Sequence, residues 1–302
     1  MVVPPYLKKG DCIGLVCPAG FMPMERWKTC TDVLQEWGYR VKLGATMMSS
    51  SGNYFSGTDA ERLDDLQRMI DAPEVQAVLC GRGGYGLGRI VEQIDFKRFR
   101  KSPKWIIGFS DITVLHAHLN RNLKIASLHA PMAGAFNDGG DKTEYVLSLR
   151  KALEGKKGKY SALPHHFNQP GAAEGSLVGG NLTLVAHLIG TGSAYKTKGK
   201  ILFLEDVGEY LYNIDRMMYQ LKRSGVLDGL AGLVIGGFTD SKDTERPFGK
   251  NAIEIIKDIV QEYDYPVCFN FPVSHGQENY ALKVGLPYKL KVGKDIVRLS
   301  ER

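Results

Sequence analysis

The sequence predicts an α/β protein of two domains, an N-terminal doubly wound, Rossmann-like parallel sheet and a smaller C-terminal mixed α/β domain. Three observations carry this. Apolar runs alternate with amphipathic stretches through the first half of the chain. Between Glu154 and Gly175 the pattern breaks into Lys, Gly, Pro, His and Ala residues. The second half then resumes with short apolar runs at a different rhythm. Alternating strands and helices cover both faces of a parallel sheet, which is the doubly wound arrangement. The N-terminal domain is expected over residues 1–155, a linker over 156–174 and the C-terminal domain over 175–302.

The first apolar run, 11–17, reads as a strand and Met24–Glu36 as an amphipathic helix stopped at Gly38; the chain returns as a strand over 39–43. A Ser/Gly/Asn-rich loop over 49–57 precedes a helix over 58–70, with Thr58 or Asp59 as its cap and Leu63, Leu66 and Ile70 on one face. Residues 75–79 are the next strand, 87–93 a helix, Trp105–Gly108 a strand and 112–119 a helix. Ligands of such sheets bind beyond the carboxyl ends of the strands, so the loops at Pro18, Gly81 and Gly108 should share one rim. In the second half, strands are expected at 200–204, 232–236, 267–270 and 290–299 and helices at 213–224 and 250–261, with more antiparallel pairing.

With 302 residues, 43% hydrophobic and 24% charged, the chain reads as an ordinary soluble globular protein. Its net charge of +6 is spread among acids apart from Lys156-Lys157-Gly158-Lys159, a solvated loop, so no nucleic-acid partner is expected. Five cysteines, odd in number and without Cys-x-x-Cys spacing, point to neither a disulfide framework nor a zinc site and fit a reducing compartment. The apolar stretch at 12–17 is too short for the core of a secretory signal, and no run approaches the roughly 20 apolar residues of a membrane span. The expectation is a cytoplasmic protein with no membrane partner.

Chemistry is signalled first at Trp105-Ile106-Ile107-Gly108-Phe109-Ser110-Asp111-Ile112-Thr113, an apolar strand ending in a Gly-flanked serine where a helix begins. A sharp strand-to-helix turn is how a serine nucleophile is mounted, and the N–H groups that follow suit an oxyanion. Ile112 stands where the usual second elbow glycine would be, so a serine capping a helix is an equally open reading. Cys80-Gly81-Arg82-Gly83-Gly84-Tyr85-Gly86 satisfies the Gly-x-Gly-x-x-Gly dinucleotide pattern, which by itself would suggest an oxidoreductase or nucleotide-binding module. Position argues against that use: the fingerprint normally opens the first βαβ unit, whereas two strands precede it here. Glycines at this point equally bring backbone N–H groups close to a reacting carbonyl.

A serine nucleophile needs a base and a carboxylate to orient it. Of seven histidines, His116, His118 and His187 lie in helical runs and read as structural, while His165 and His166 fall in the linker and read as solvated. His129 could line the site. His275, in Phe271-Pro272-Val273-Ser274-His275-Gly276, sits just past a strand on a turn closed by glycine, where catalytic side chains are usually held. Glu205 ends the apolar strand Ile201-Leu202-Phe203-Leu204-Glu205; alternation puts it on the same face as Phe203, with Asp206 pointing away and Glu209 as the fallback acid.

Six segments in order resemble the LD-carboxypeptidase family of serine peptidases: Cys17-Pro18-Ala19-Gly20, Gly81-Arg82-Gly83-Gly84-Tyr85-Gly86, Gly108-Phe109-Ser110-Asp111, Gly179-Gly180-Asn181-Leu182, Leu204-Glu205-Asp206 and Val273-Ser274-His275-Gly276. The resemblance implies Ser110 as nucleophile, Glu205 as acid and His275 as base, with the backbone N–H groups of Gly84 and Asp111 forming the oxyanion hole. It also implies hydrolysis, without metal or cofactor, of the amide joining an L-configured diamino acid to the terminal D-alanine of a muropeptide. Arg82 and Arg89 are candidates to hold the substrate carboxylate, and Asn181 is a further candidate substrate contact. Family members are commonly homodimers. Ser110 falls in the first expected domain and Glu205 and His275 in the second, so the triad would assemble between them, where a hinge motion could switch it. The alternative within the family is a microcin C7 immunity-type hydrolase of aminoacyl-nucleotide amides, in which an aromatic-bearing loop stacks on the base. The comparable region, 160–175, holds Tyr160, His165, His166 and Phe167 but no tryptophan, which favours the muropeptide.

Overall fold

A computed structural model describes residues 1–50 and 52–302; Ser51, in the expected 49–57 loop, lies outside the described residues. The chain divides into two compact units, Met1–Lys156 with Tyr280–Lys283, and Lys157–Asn279 with Val284–Arg302.

The first unit carries strands β1 (Cys12–Val16), β2 (Arg40–Leu43), β3 (Ala77–Cys80), β4 (Trp105–Gly108) and β5 (Ser127–His129), with helices α1 (Met24–Glu36), α2 (Asp59–Asp71), α3 (Lys97–Lys101), α4 (Thr113–His118) and α5 (Glu144–Leu153). The sheet runs β5-β4-β3-β1-β2, extended beyond β5 by Leu282–Val284, and every registered pair from β5 to β2 is parallel. The order reverses at β1, and the strand ends at Val16, Cys80 and Gly108 open onto the expected loops. β1, β3 and β4 are buried along their whole length, as a sheet covered on both faces requires.

α2 begins where the sequence indicates, with Thr58 as its cap: Thr58 Oγ1 accepts from Glu61 N–H and Glu61 Oε2 accepts from Thr58 N–H. Its inward face carries Leu66 and Ile70, but also two buried charges that periodicity does not reveal, Arg62 and Asp65. Asp65 is satisfied by the N–H groups of Ala45 and Thr46 and by the Thr46 hydroxyl. The expected helix over 87–93 is instead two 3₁₀ turns, Leu87–Arg89 and Val91–Gln93. Gly88 and the β-branched Ile90 and Val91 disfavour a continuous helix here.

The second unit contains β6 (Lys159–Ala162), β7 (Gly171–Asn181), β8 (Ile201–Val207), β9 (Gly232–Thr239) and β10 (Val267–Cys268), the already placed Leu282–Val284 being β11, then β12 (Pro287–Val292) and β13 (Val297–Glu301). Its sheet runs β10-β9-β8-β7-β12-β13-β6, parallel from β10 to β7 and antiparallel from β7 to β6. Helices α6 (Leu182–His187), α7 (Leu211–Arg223) and α8 (Ala252–Val260) pack Ile214, Met218, Ile256 and Ile259 against Val178, Leu202, Leu204 and Leu233. The stretch 156–174, expected as a linker, hands the chain over at Lys156–Lys157 and is already part of this sheet from Lys159. The expected strand over 290–299 is the β12–β13 hairpin.

Candidate active site

In the first unit, β4 delivers Ser110 into a left-handed backbone conformation, φ 62°. L-residues with a Cβ seldom adopt it, because it costs roughly 1–2 kcal/mol. This is the strain of a nucleophile elbow. The residue at the cap position of the turn is Phe109, with no side-chain cap bond, so Ser110 is not serving as a helix cap. The Gly81–Gly86 loop lies against this turn. A Cβ added at Gly83 would fall 2.8 Å from Ser110 Cβ and 3.2 Å from Asp111 N, a gap that only glycine leaves open. Gly83 O accepts from Gly20 N–H at 2.9 Å, joining the loop after β3 to the loop after β1.

Beneath the elbow, His116 is fully buried; its Nε2–H donates to Gly108 O at 2.8 Å and its Nδ1 accepts from the Ser127 hydroxyl at 2.8 Å. Burial pulls its pKa down to about 4, so it is a neutral strut. His129 is buried between the rings of Phe109 and His116, and His118 stacks on Phe96.

In the second unit, Glu205 and His275 meet: Nδ1 of His275 lies 2.5 Å from Oε2 of Glu205. Glu205 is fully buried on the Phe203 face, as strand alternation requires. Asp206, on the opposite face, is buried as well, because β8 is covered on both faces from Ile201 to Asp206. Its carboxylate accepts from Asn181 Nδ2, from Thr183 N–H and from the Thr183 hydroxyl. Burial lifts the Glu205 carboxyl above the usual carboxylate range, against the pull of the imidazole. For His275, burial by itself would lower the pKa, but the Glu205 hydrogen bond and charge, with the charge of Asp206, outweigh it and the net shift is upward. Glu209, the fallback acid, accepts instead from Asn213 Nδ2.

His275 is held by its neighbours. Ser274 Oγ accepts from Gly276 N–H at 3.0 Å and donates to Glu278 O at 2.9 Å. The segment lies on β9 so closely that a Cβ at Gly236 would fall 2.1 Å from Val273 O and 3.2 Å from Glu205 Cβ. Gly236→Ala is therefore expected to displace the His275 turn and lower kcat by about 10²-fold, with a stability loss of about 1–3 kcal/mol. Steady-state kinetics alongside denaturant titration would measure both, and an unchanged kcat would dissociate this close approach from activity.

The other candidates separate. Arg82 is exposed and donates to Phe21 O, whereas Arg89 is committed to Asp59. Asn181 is buried and uses its side chain internally, capping α6 through Leu184 N–H and donating to Asp206. It therefore bears on Glu205 through the neighbouring carboxylate. The Gly-x-Gly-x-x-Gly loop does not lead into an α-helix whose N-terminus could take a pyrophosphate, and Leu87 N–H is already given to the Asp111 carboxylate at 2.8 Å. His165, half-buried, and the exposed His166 both pack on Phe167. All five cysteines are buried thiols. Among the described residues, no helix is long and apolar enough to cross a membrane.

A strained serine at a strand end and an imidazole backed by a buried carboxylate are the equipment of a serine hydrolase. Residues 13–130 match the LD-carboxypeptidase N-terminal domain and residues 174–290 the LD-carboxypeptidase C-terminal domain. The Bacillus subtilis (strain 168) protein named "Probable murein peptide carboxypeptidase" is 36% identical over 286 residues, 93% of this chain and 89% of its own. The crystal structure of muramoyltetrapeptide carboxypeptidase from Oxalobacter formigenes has a TM-score of 0.87 at 27% identity, covering 96% of this chain and 98% of that one. The microcin C7 self-immunity protein in its wild-type apo state has a TM-score of 0.88 at 21% identity, covering 100% and 99%, a likeness of fold. The chain belongs to the LD-carboxypeptidase family and is a serine peptidase.

Proposed function

We propose that the protein is a serine-type LD-carboxypeptidase that releases the terminal D-alanine from peptidoglycan-derived tetrapeptides by cutting its amide to an L-configured diamino acid. The observation that carries this reading is the left-handed Ser110 at the end of β4, in a chain that also pairs His275 with the buried Glu205. Ser110 Oγ attacks the carbonyl while His275 takes its proton, and the N–H groups of Gly84 and Asp111 stabilise the oxyanion. His275 then protonates the leaving D-alanine amine, and water resolves the acyl-enzyme. Glu205 keeps the proton of the neutral imidazole on Nδ1 and balances its charge when protonated. The exposed guanidinium of Arg82 is assigned to the substrate carboxylate. The reading includes a cytoplasmic enzyme of wall-peptide recycling, supported by the buried, unpaired thiols, and the homodimer that the family resemblance implies.

The immunity-type alternative would need an aromatic platform near 160–175. Phe167 there packs edge-on against the buried Phe269, and 159–162 is a sheet strand, so this stretch supports its own unit's core. The test is release of free D-alanine from tetrapeptides ending in L-lysine–D-alanine and in meso-diaminopimelate–D-alanine, without added metal, beside an aminoacyl-sulfamoyl nucleotide. Release of D-alanine is expected; cleavage of the nucleotide amide alone would overturn the peptidoglycan reading.

A further inference from the structure

The loop that faces Ser110 is gripped by two buried charges for which the reaction has so far had no use. Asp111 is 1% exposed and Arg62 is fully buried. Arg62 Nη1 donates to Gly86 O at 3.2 Å, and Asp111 Oδ2 accepts from Leu87 N–H at 2.8 Å. Gly86 C=O and Leu87 N–H belong to one peptide unit. A guanidinium therefore sits on its oxygen and a carboxylate on its hydrogen, and both polarise the peptide in the same sense. Arg62 also donates to Pro18 O at 2.6 Å and pairs with Asp59, tying the loops after β1 and β3 to α2. At the other end of the loop, Gly20 N–H holds Gly83 O. Gly84, φ 93°, is thus spanned by two anchors.

We propose that the side chains of Arg62 and Asp111 are positioning residues, a charged clamp on the Gly86–Leu87 peptide that fixes the 81–87 loop so that Gly84 N–H meets the oxyanion. The proposal rests on the reading of Gly84 as an oxyanion donor. The clamp is an expensive way to hold a loop. Burial pushes the Asp111 carboxyl up to about 6 despite the Leu87 hydrogen bond and the Arg62 charge. Its Oδ1 is buried without a hydrogen-bond partner, as is Arg62 Nε. Buried charges contribute little net stability, and their attested use is to specify one geometry. The same glycine-rich loop, with alternative backbone wells open to it, is where that geometry needs fixing. Asp111 therefore acts twice, with its N–H toward the oxyanion and its carboxylate on the loop that brings the second donor.

The test compares wild type, Asp111→Asn and Asp111→Leu by amide hydrogen exchange and by D-alanine release. Asp111→Leu is expected to speed exchange across 81–89 by about tenfold while distant segments keep their rates. Its kcat is expected to fall by about 30-fold or more with KM within about threefold, as for a misaligned oxyanion donor. Asp111→Asn keeps an acceptor without the charge and should fall between the two in both readouts. Its melting temperature should equal or exceed that of wild type, because it removes a carboxylate that is costly to ionise when buried. Unchanged exchange at 81–89, a uniform change over the whole chain, or an unaltered kcat in an active enzyme would overturn the clamp. If Asp111→Leu does not fold, Asp111→Asn decides by the same two readouts. Should wild type release no D-alanine, the functional reading fails, while the exchange comparison still decides whether the two charges hold the loop.

Discussion

Replacing Ser110 by alanine is expected to lower kcat for D-alanine release by about 10⁴- to 10⁶-fold with little change in KM, the loss seen when a covalent nucleophile is removed and binding remains. The expectation follows from the backbone. Ser110 has φ 62°, a conformation that confers no advantage on a serine merely ending a strand. A helix-capping serine would give the opposite result, a stability loss of about 1 kcal/mol with activity retained. Ser110→Gly separates the two further. Glycine adopts φ above zero without the Cβ clash, so this variant should be at least as stable as wild type and equally inactive. Kinetics and thermal unfolding on the two variants measure this. Substantial turnover by either, from protein free of wild type, would remove Ser110 from the nucleophile role.

The parts of the site that the sequence reveals are those where one residue type answers one physical need. An apolar run ending in Gly108-Phe109-Ser110 shows a strand that stops at a sharp turn, and an acid closing an apolar strand at Glu205 must have a partner. The Gly81–Gly86 segment is harder, because the same glycines serve a pyrophosphate or a close backbone approach. What distinguishes them is Gly83 packed on Ser110 and Leu87 N–H held by Asp111, both long-range contacts. Arg62 and Asp65 stay hidden for a related reason. On a helical wheel they spoil an apolar face, and only the loops arriving from 18, 45 and 86 explain their burial. The start of β7 is masked by its composition: residues 171–174, glycine- and alanine-rich, fall in the expected linker. β7 is a strand because β8 and β12 pair with it on both sides, and a Cβ at Gly179 would fall 1.9 Å from Phe203 O. Glu205 and Asp206 are buried in succession because β8 is covered on both faces, which depends on elements distant in sequence.

Glu205→Gln should lower kcat by about 10³- to 10⁴-fold without dismantling the site, the effect of losing the tautomer rather than the base. The Glu205 carboxylate can only accept, so His275 Nδ1 carries the proton and Nε2 is left as the base. A glutamine amide can donate to Nδ1 instead, which places the imidazole proton on Nε2, the wrong nitrogen for taking one from a serine. The pH profile gives an independent sign. Burial lowers the His275 pKa, and Glu205, helped by Asp206, raises it by more. The base works in its neutral form, so kcat/KM should rise with pH through the His275 pKa of the free enzyme. Removing the charge of Glu205 leaves burial with less to oppose it, and the acid limb should move to lower pH. Asp206→Asn should move the limb the same way by less, since it acts by charge alone. A profile of Glu205→Gln whose acid limb stays in place, or moves upward, would mean that another group governs it and that the 2.5 Å pair is not the one that prepares the base.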